Sequence, residues 1–372
     1  MTSSASTPTA TFTRRTYNFS AGPATLPEEV LRQAQEDLWD IAGSGIGILE
    51  HSHRGAEFTE VIEAAEADCR ELAGLDDRHV VLFLQGGATL QFAMVPMSFL
   101  GKGHTADYLH TGVWTKNAIA EAKKFGDVHL AFDGTATDFD HTPELNEIHP
   151  SGDAVYTYYC SNNTIYGTEF PAAPPSSVPL ICDASSDMFS RPIDVDAHAM
   201  IFAGAQKNLG PAGCTLVIMN RDLLERATEG LPVMLDYRKQ ADKGSCLNTP
   251  PTFAIYVMGK VFRWIIDQGG LEAMAERNHA KGKIVYDAID GSSGFYSPVA
   301  KASSRSLMNI AFRTPTADLD AKFVAEAKAN DMSGLKGHRS VGGLRASTYN
   351  AFPAEGCRVL AQFMADFAAK NG

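Results

Sequence analysis

A lysine set between two apolar runs is the residue in this chain best placed to do chemistry. Met200-Ile-Phe-Ala203 reads as a strand that is apolar on both faces, and Cys214-Thr-Leu-Val-Ile-Met219 as another. Between them lie Gly204, Ala205, Gln206, Lys207 and a backbone broken by Gly210, Pro211 and Gly213. A charged amine held there is costly unless it is paired or neutralised. With a lowered pKa it becomes a nucleophile able to form a Schiff base with an aldehyde. Taken alone, the stretch fits a surface-loop lysine equally well. Three further features narrow the choice. Asp183 ends the apolar run Val178-Pro-Leu-Ile-Cys182. Val80–Leu84 runs straight into Gln85-Gly-Gly-Ala-Thr89, a glycine turn that opens a helix and exposes backbone N–H groups to an anion. It is neither a Walker A loop nor a G-x-G-x-x-G dinucleotide turn, and an ordinary tight turn has the same composition. Trp114 is either core or a platform for a planar ring. A carboxylate for a protonated pyridine nitrogen, an amine for an aldehyde, a turn for a phosphate and an indole for a ring face together describe pyridoxal phosphate (PLP) chemistry.

The elements that must position these groups follow from the hydrophobic pattern. Strands alternate with helices, which favours a parallel α/β sheet with right-handed crossovers and ligands off the carboxyl ends of the strands, where Asp183 and Lys207 fall. A first helix follows Pro27, with Val30, Leu31, Ala34 and Leu38 on its apolar face. His53-Arg54-Gly55 lies in an irregular stretch before a helix over 57–72; such a pair either binds a ligand or is simply solvated. Ala154–Cys160 is a strand that leads into the polar Ser161–Gly167. Residues 236–243 read as a charged loop, and 254–267 as an apolar helix. Gly269-Gly270 is a hinge candidate. Beyond it come a helix over 271–289, a strand over 306–312, a helix over 319–329 and a last helix with Val359, Leu360, Phe363, Met364 and Phe367 on one face. The expected organisation is a disordered tail at 1–16, a large domain at 17–270 and a smaller α+β domain at 271–372.

Composition excludes several classes. The 372 residues are 44% hydrophobic, enough for a sizeable core, and carry a net charge of −12, which argues against broad nucleic-acid or anionic-membrane binding. An anionic substrate would need local arginines acting against that background. Six cysteines without C-x-x-C spacing point to neither a zinc site nor a disulfide scaffold, and so to a reduced, cytoplasmic setting. No metal site is expected. The opening residues contain no apolar run, hence no secretory signal or membrane span is expected.

Several long stretches, in order, resemble one family: Tyr17-Asn-Phe-Ser-Ala-Gly-Pro23, Ser52-His-Arg-Gly55, Ala205-Gln-Lys-Asn208 with Gly210-Pro-Ala-Gly213, Asn248-Thr-Pro-Pro-Thr-Phe253, and Gly337-His-Arg339 with Gly342-Gly-Leu-Arg-Ala-Ser347. The chain resembles the phosphoserine aminotransferases, class-V members of the fold-type I PLP enzymes, from Tyr17 nearly to its end. The resemblance implies a large domain built on a mostly parallel seven-stranded sheet, with a smaller α+β C-terminal domain. It implies transfer of the amino group of L-glutamate to 3-phosphohydroxypyruvate, giving O-phospho-L-serine and 2-oxoglutarate, and leaves open the related 4-phosphohydroxythreonine of vitamin B6 synthesis. Lys207 would form the Schiff base, Asp183 would pair with the pyridine nitrogen, Trp114 would stack on the ring and Thr164 would bond the ring oxygen. Gln206, Ala88 and Thr89 would meet the cofactor phosphate. Asn248 and Thr249 would reach the phosphate in the neighbouring subunit of a homodimer with shared sites. Arg54 and Arg345, with His53, His338 and Arg339 nearby, would bind substrate carboxylate and phosphate. Some members carry arginine where this chain has Thr89, and a second serine where it has Ala21, which leaves Ser20 as a contact. Two alternatives come from other activities. A cysteine desulfurase would need an exposed nucleophilic thiol, for which Cys246 is the loop candidate, and a non-catalytic PLP-binding protein would have little need for both Arg54 and Arg345.

Overall fold

The structure, a computed structural model, describes residues 15–372. The tail expected at 1–16 therefore lies, apart from Arg15 and Thr16, outside the described residues. The strands are β1 (Tyr17–Asn18), β2 (His79–Leu84), β3 (Thr105–His110), β4 (Asp127–Asp133), β5 (Ala154–Cys160), β6 (Asn162–Asn163), β7 (Thr168–Glu169), β8 (Leu180–Asp183), β9 (Met200–Gly204), β10 (Thr215–Asn220), β11 (Ser297–Pro298), β12 (Asn309–Arg313), β13 (Met332–Ser333) and β14 (Leu344–Ser347). The helices are α1 (Glu28–Asp37), α2 (Ala56–Ala73), α3 (Gly87–Phe99), α4 (Val113–Ala122), α5 (Arg221–Glu225), α6 (Tyr237–Asp242), α7 (Thr252–Asp267), α8 (Gly270–Asp290), α9 (Ala317–Ala329) and α10 (Ala354–Asn371).

Seven strands form the central sheet in the order β2-β10-β9-β8-β5-β3-β4. Its pairs are parallel except at β10, which runs against both β9 and β2. The segment from β9 to β10 is too short for a crossover helix, so β10 must return antiparallel. The absence of alternation in the strands has a direct cause: both faces are buried. Val81 and Phe83 of β2 point into one core with Ile201, Ile218, Ile255 and Phe262, whereas Val80, Leu82 and Leu84 join Tyr158, Phe202 and Met219 in another. Helices α2 and α7 pack so closely on the first face that a Cβ added at Gly259 would lie 2.9 Å from Ala65 Cβ. Arg263 and Asp68 form an ion pair across the same contact.

A third core belongs to the C-terminal region. Phe312, Phe323, Leu360, Met364 and Phe367 pack there with Val285 of α8, beside the three-stranded sheet β11-β12-β14. Phe19 joins this core, and β1 pairs in parallel with β13. The loop that begins at Tyr17 thus runs from one core to the other.

Two expectations are corrected. On α1, Val30 and Ala34 are buried, but Leu31 and Leu38 stay 37% and 42% exposed, so the apolar face is narrower than the four residues implied. Residues 236–243 are not a loop throughout. The Asp236 side chain caps α6 by accepting from Arg238 N, and Tyr237 and Gln240 bury its inner face. Tyr237 also donates to Gln91 Oε1 at 2.6 Å, tying α6 to α3. Strand β4, which has polar residues at three of its seven positions, including both ends, carries a weak apolar signal.

Candidate active site

At the carboxyl end of β9 the chain makes a tight turn. Leu209 N and Gly210 N both donate to Ala205 O, and Ala205 N donates to Cys214 O. This turn carries Lys207 over the end of the sheet. Its Nζ donates to Thr164 Oγ1 at 2.7 Å and stands 5.4 Å from the centre of the Trp114 ring. Burial pushes the amine below the ordinary lysine value of 10.5; the Asp183 carboxylate opposes that shift and the Arg345 guanidinium adds to it. Asp183, at the end of β8, is 3% exposed. Burial raises its pKa, while Lys207 and a 3.0 Å bond from Ser185 N hold it down. The amine and the carboxylate are therefore neighbours in a water-poor pocket, each moved toward its neutral form.

Other elements close around them. Trp114 sits on the first turn of α4, with its indole Nε1 buried and unpartnered. Gly112 precedes it because a Cβ there would lie 2.9 Å from Asn163 Oδ1, next to Thr164. Gly86 caps α3 with φ +91°, and a Cβ would fall 2.4 Å from Leu90 Cδ2, so only glycine permits this turn. Ala88 and the exposed Thr89 occupy the first turn of α3, where free N–H groups point outward. The Gln206 amide packs against Gly204, where an added Cβ would be 2.9 Å from its Oε1. Arg345 on β14 donates from Nη1 to Thr164 O at 3.0 Å, and its Nε is buried without a partner. It thus crosses from the smaller region to the Lys207 pocket. Burial and the nearby Arg345 and Arg339 charges lower the pKa of His338, whose Nδ1 lies 2.7 Å from Ser340 Oγ.

Among the described residues, none of the remaining residues singled out from the sequence bonds to the amine. Asn248 Oδ1 accepts from Gln85 Nε2 at 3.0 Å, which places it beside the glycine turn of its own chain, and Thr249 is exposed. Arg54 is exposed and His53 half-buried with Nε2 unpartnered. Among the described residues, no hydrogen bond or ion pair joins either side chain to Lys207. Ser20 N donates not away from the site but back to Asn18 Oδ1, and Gly334 is needed beside it, since a Cβ there would lie 2.5 Å from Ser20 N.

Several groups around the pocket were not singled out beforehand. Ser161 Oγ donates to Asp187 Oδ1 at 2.5 Å, and the Arg191 guanidinium lies 3.3 Å from Glu169 and 3.6 Å from Asp187. This buried set braces the turn after Asp183. Asp183-x-Ser185 is an Asx-turn pattern that the sequence does contain; the long-range partners have no such local signal.

The residues present fit the expected cofactor. A buried acid faces an amine of lowered pKa, an unpartnered indole flanks that amine, and a glycine-capped helix start lies alongside. The thiol of Cys246, by contrast, is half-buried and pushed up by burial, opposite to what an attacking thiolate needs. Among the described residues no group of His, Cys, Asp and Glu could hold a metal, and no helix is long and apolar enough to cross a membrane.

Comparison with known proteins places this geometry in a family. The model of the family Aminotransferase class-V matches residues 16–360. The phosphoserine aminotransferase of Desulfotalea psychrophila is 54% identical over 357 residues, 96% of this chain and 99% of that one. The structure of phosphoserine aminotransferase from Bacillus circulans subsp. alkalophilus superposes with a TM-score of 0.94 at 47% identity, covering 96% of this chain and 99% of the other. That of the PLP-bound enzyme from Trichomonas vaginalis gives 0.88 at 41%, covering 94% and 99%. The fold is that of the fold-type I PLP aminotransferases, and the chain belongs to the phosphoserine aminotransferase family within class V.

Proposed function

We propose that the protein is a PLP-dependent phosphoserine aminotransferase, moving the amino group of L-glutamate to 3-phosphohydroxypyruvate to give O-phospho-L-serine and 2-oxoglutarate. The observation that carries the reading is the Lys207 amine set between the buried Asp183 and the Trp114 ring, in a chain of this family. When bound, PLP supplies a conjugated ring that takes up the electrons released at the substrate Cα. Lys207 would hold the cofactor aldehyde, and its amine would serve as the base and acid that moves a proton to and from the substrate Cα. Burial favours the neutral form of the amine, the form able to accept that proton. Asp183 would keep the pyridine nitrogen protonated, and its dry surroundings would strengthen that pairing. Trp114 would pack on the ring face and Thr164 would hold the ring oxygen. The α3 turn at Ala88 and Thr89, with Gln206, would take the phosphate.

The substrate anion meets Arg345 from β14, with His338 and Arg339 beside it. Arg54 and His53 belong to the same binding set, and Asn248 and Thr249 reach the cofactor phosphate of the partner subunit in a homodimer with shared sites. Thr89 carries no charge, so the substrate phosphate relies on these arginines and histidines. The working boundaries remain a large domain at 17–270 and a small one at 271–372, and the protein acts in the cytoplasm.

The test is the visible absorption of the PLP-loaded protein. Glutamate should bleach the band and 3-phosphohydroxypyruvate restore it. A band indifferent to glutamate would leave a binding protein, and sulfide release from cysteine would point to a desulfurase.

A further inference from the structure

A buried polar strut runs from the smaller region of the molecule to the turn that carries Lys207. Lys281, in the middle of α8, is 3% exposed. Its Nζ donates to three consecutive carbonyls: Thr348 O at 3.0 Å, Tyr349 O at 2.7 Å and Asn350 O at 3.3 Å. Three ammonium protons meet three acceptors that have left the β14 ladder and have not yet entered α10. One turn earlier on α8, Asn278 Nδ2 donates to Asn350 Oδ1 and to Ser190 O, both at 2.9 Å.

Asn350 passes this restraint across to the large sheet. Its N donates to Asn208 Oδ1 at 3.0 Å, and its Nδ2 to Phe189 O at 2.8 Å. Asn208 adjoins Lys207 and donates in turn to Ser186 O at 3.3 Å, in the turn that follows Asp183. Phe189 has φ +58°, a left-handed conformation costly for a bulky side chain and kept only where its surroundings impose it. The Asn350 and Asn278 bonds supply that imposition. Beside them, the Tyr349 hydroxyl donates to Ala21 O at 2.7 Å in the loop after β1.

We propose that Lys281 is a positioning residue for Lys207: by pinning Thr348–Asn350 it fixes Asn208, and through Asn208 the amine next to it and the turn beyond Asp183. It touches no reacting atom. The proposal rests on Lys207 being the amine that holds the cofactor. A displacement of that amine by a fraction of an ångström is enough to slow proton transfer substantially.

The test uses the PLP-loaded full chain with Lys281→Met, Asn208→Ala and the double variant. Each single change should lower kcat about tenfold while KM for either substrate stays within about twofold. Each should also move the pH midpoint of the visible band by roughly half a unit or more, because the band reports the surroundings of Lys207. The double variant should be no worse than the more affected single one, as expected for two links of one chain. A folded Lys281→Met protein that melts earlier but keeps the wild-type kcat and band midpoint would reduce Lys281 to a packing role and overturn the proposal. If Lys281→Met does not fold, Asn208→Ala decides by the same two readouts. Lys207→Ala separates the two layers of inference. A wild-type band in that variant removes the role of Lys207 itself, whereas a band lost there but unmoved in the other variants removes only the strut.

Discussion

Lys207 and Lys281 are two inward-facing lysines, and burial lowers both of their pKa values, that of Lys281 to about 7. What separates them is how their protons are used. Lys281 gives three hydrogen bonds to three carbonyls and lies in a space already filled. Lys207 gives one, to a hydroxyl, and otherwise faces an indole ring and a buried carboxylate. A depressed pKa alone therefore does not identify a reactive amine. Lys281 is the structural lysine, because its donors are all taken. Lys207 is left with unspent hydrogen-bonding capacity beside an acid, and that is the arrangement chemistry needs.

The sharpest test of this contrast is Lys207→Ala. Turnover should fall roughly 10⁴-fold or more, while the melting temperature changes by only a few degrees. Steady-state rates and a melting curve measure both, and near-normal turnover would erase the distinction between the two lysines. Asp183→Asn should come next, costing roughly 10²- to 10³-fold in kcat, since the carboxylate that holds the pyridine proton is gone.

Beside its effect on kcat, Lys281→Met should lower stability by about 3 kcal/mol through the three stranded carbonyls. Lys207→Met in cofactor-free protein should cost far less, and denaturant melts of the two would compare them directly. If Lys207→Met proved the more damaging, the assignment of structural and chemical roles would be inverted.

The pH dependence of amine reactivity is a finer probe. Only the neutral amine attacks an aldehyde, and Lys207 is held below 10.5, so capture of a small aldehyde by cofactor-free protein should begin at lower pH than for an ordinary lysine. Asp183 favours the ammonium and Arg345 disfavours it. Asp183→Asn should therefore move the midpoint down and Arg345→Gln move it up. The same direction for both would contradict the geometry. The smallest effect is expected for Cys246→Ser, with turnover changed less than about twofold, since burial favours the protonated, unreactive form of that thiol.

Much of this site was legible in advance. Strand ends, a glycine turn and the order of Asp183 and Lys207 are local features, and each is recorded by neighbours in sequence. The bond from Lys207 to Thr164 and the reach of Arg345 from β14 span 43 and 181 residues, and nothing local records them. The α6 helix was read as a loop because its charges outnumber its apolar residues, and Tyr237 is buried only because α3 comes to meet it. Leu31 and Leu38 fit a helical stripe, yet the burial of a stripe depends on how wide a partner it finds.

The sequence by itself determined the apolar strands, the turns that only glycine can make, and which residue types would meet a phosphorylated aldehyde, because these depend on periodicity and backbone sterics. The tertiary structure alone decided which of the inward-facing amines is chemically available. That depends on how many acceptors surround each one, and for Lys281 those acceptors come from a chain segment 67 to 69 residues away, brought in by packing that no local pattern encodes.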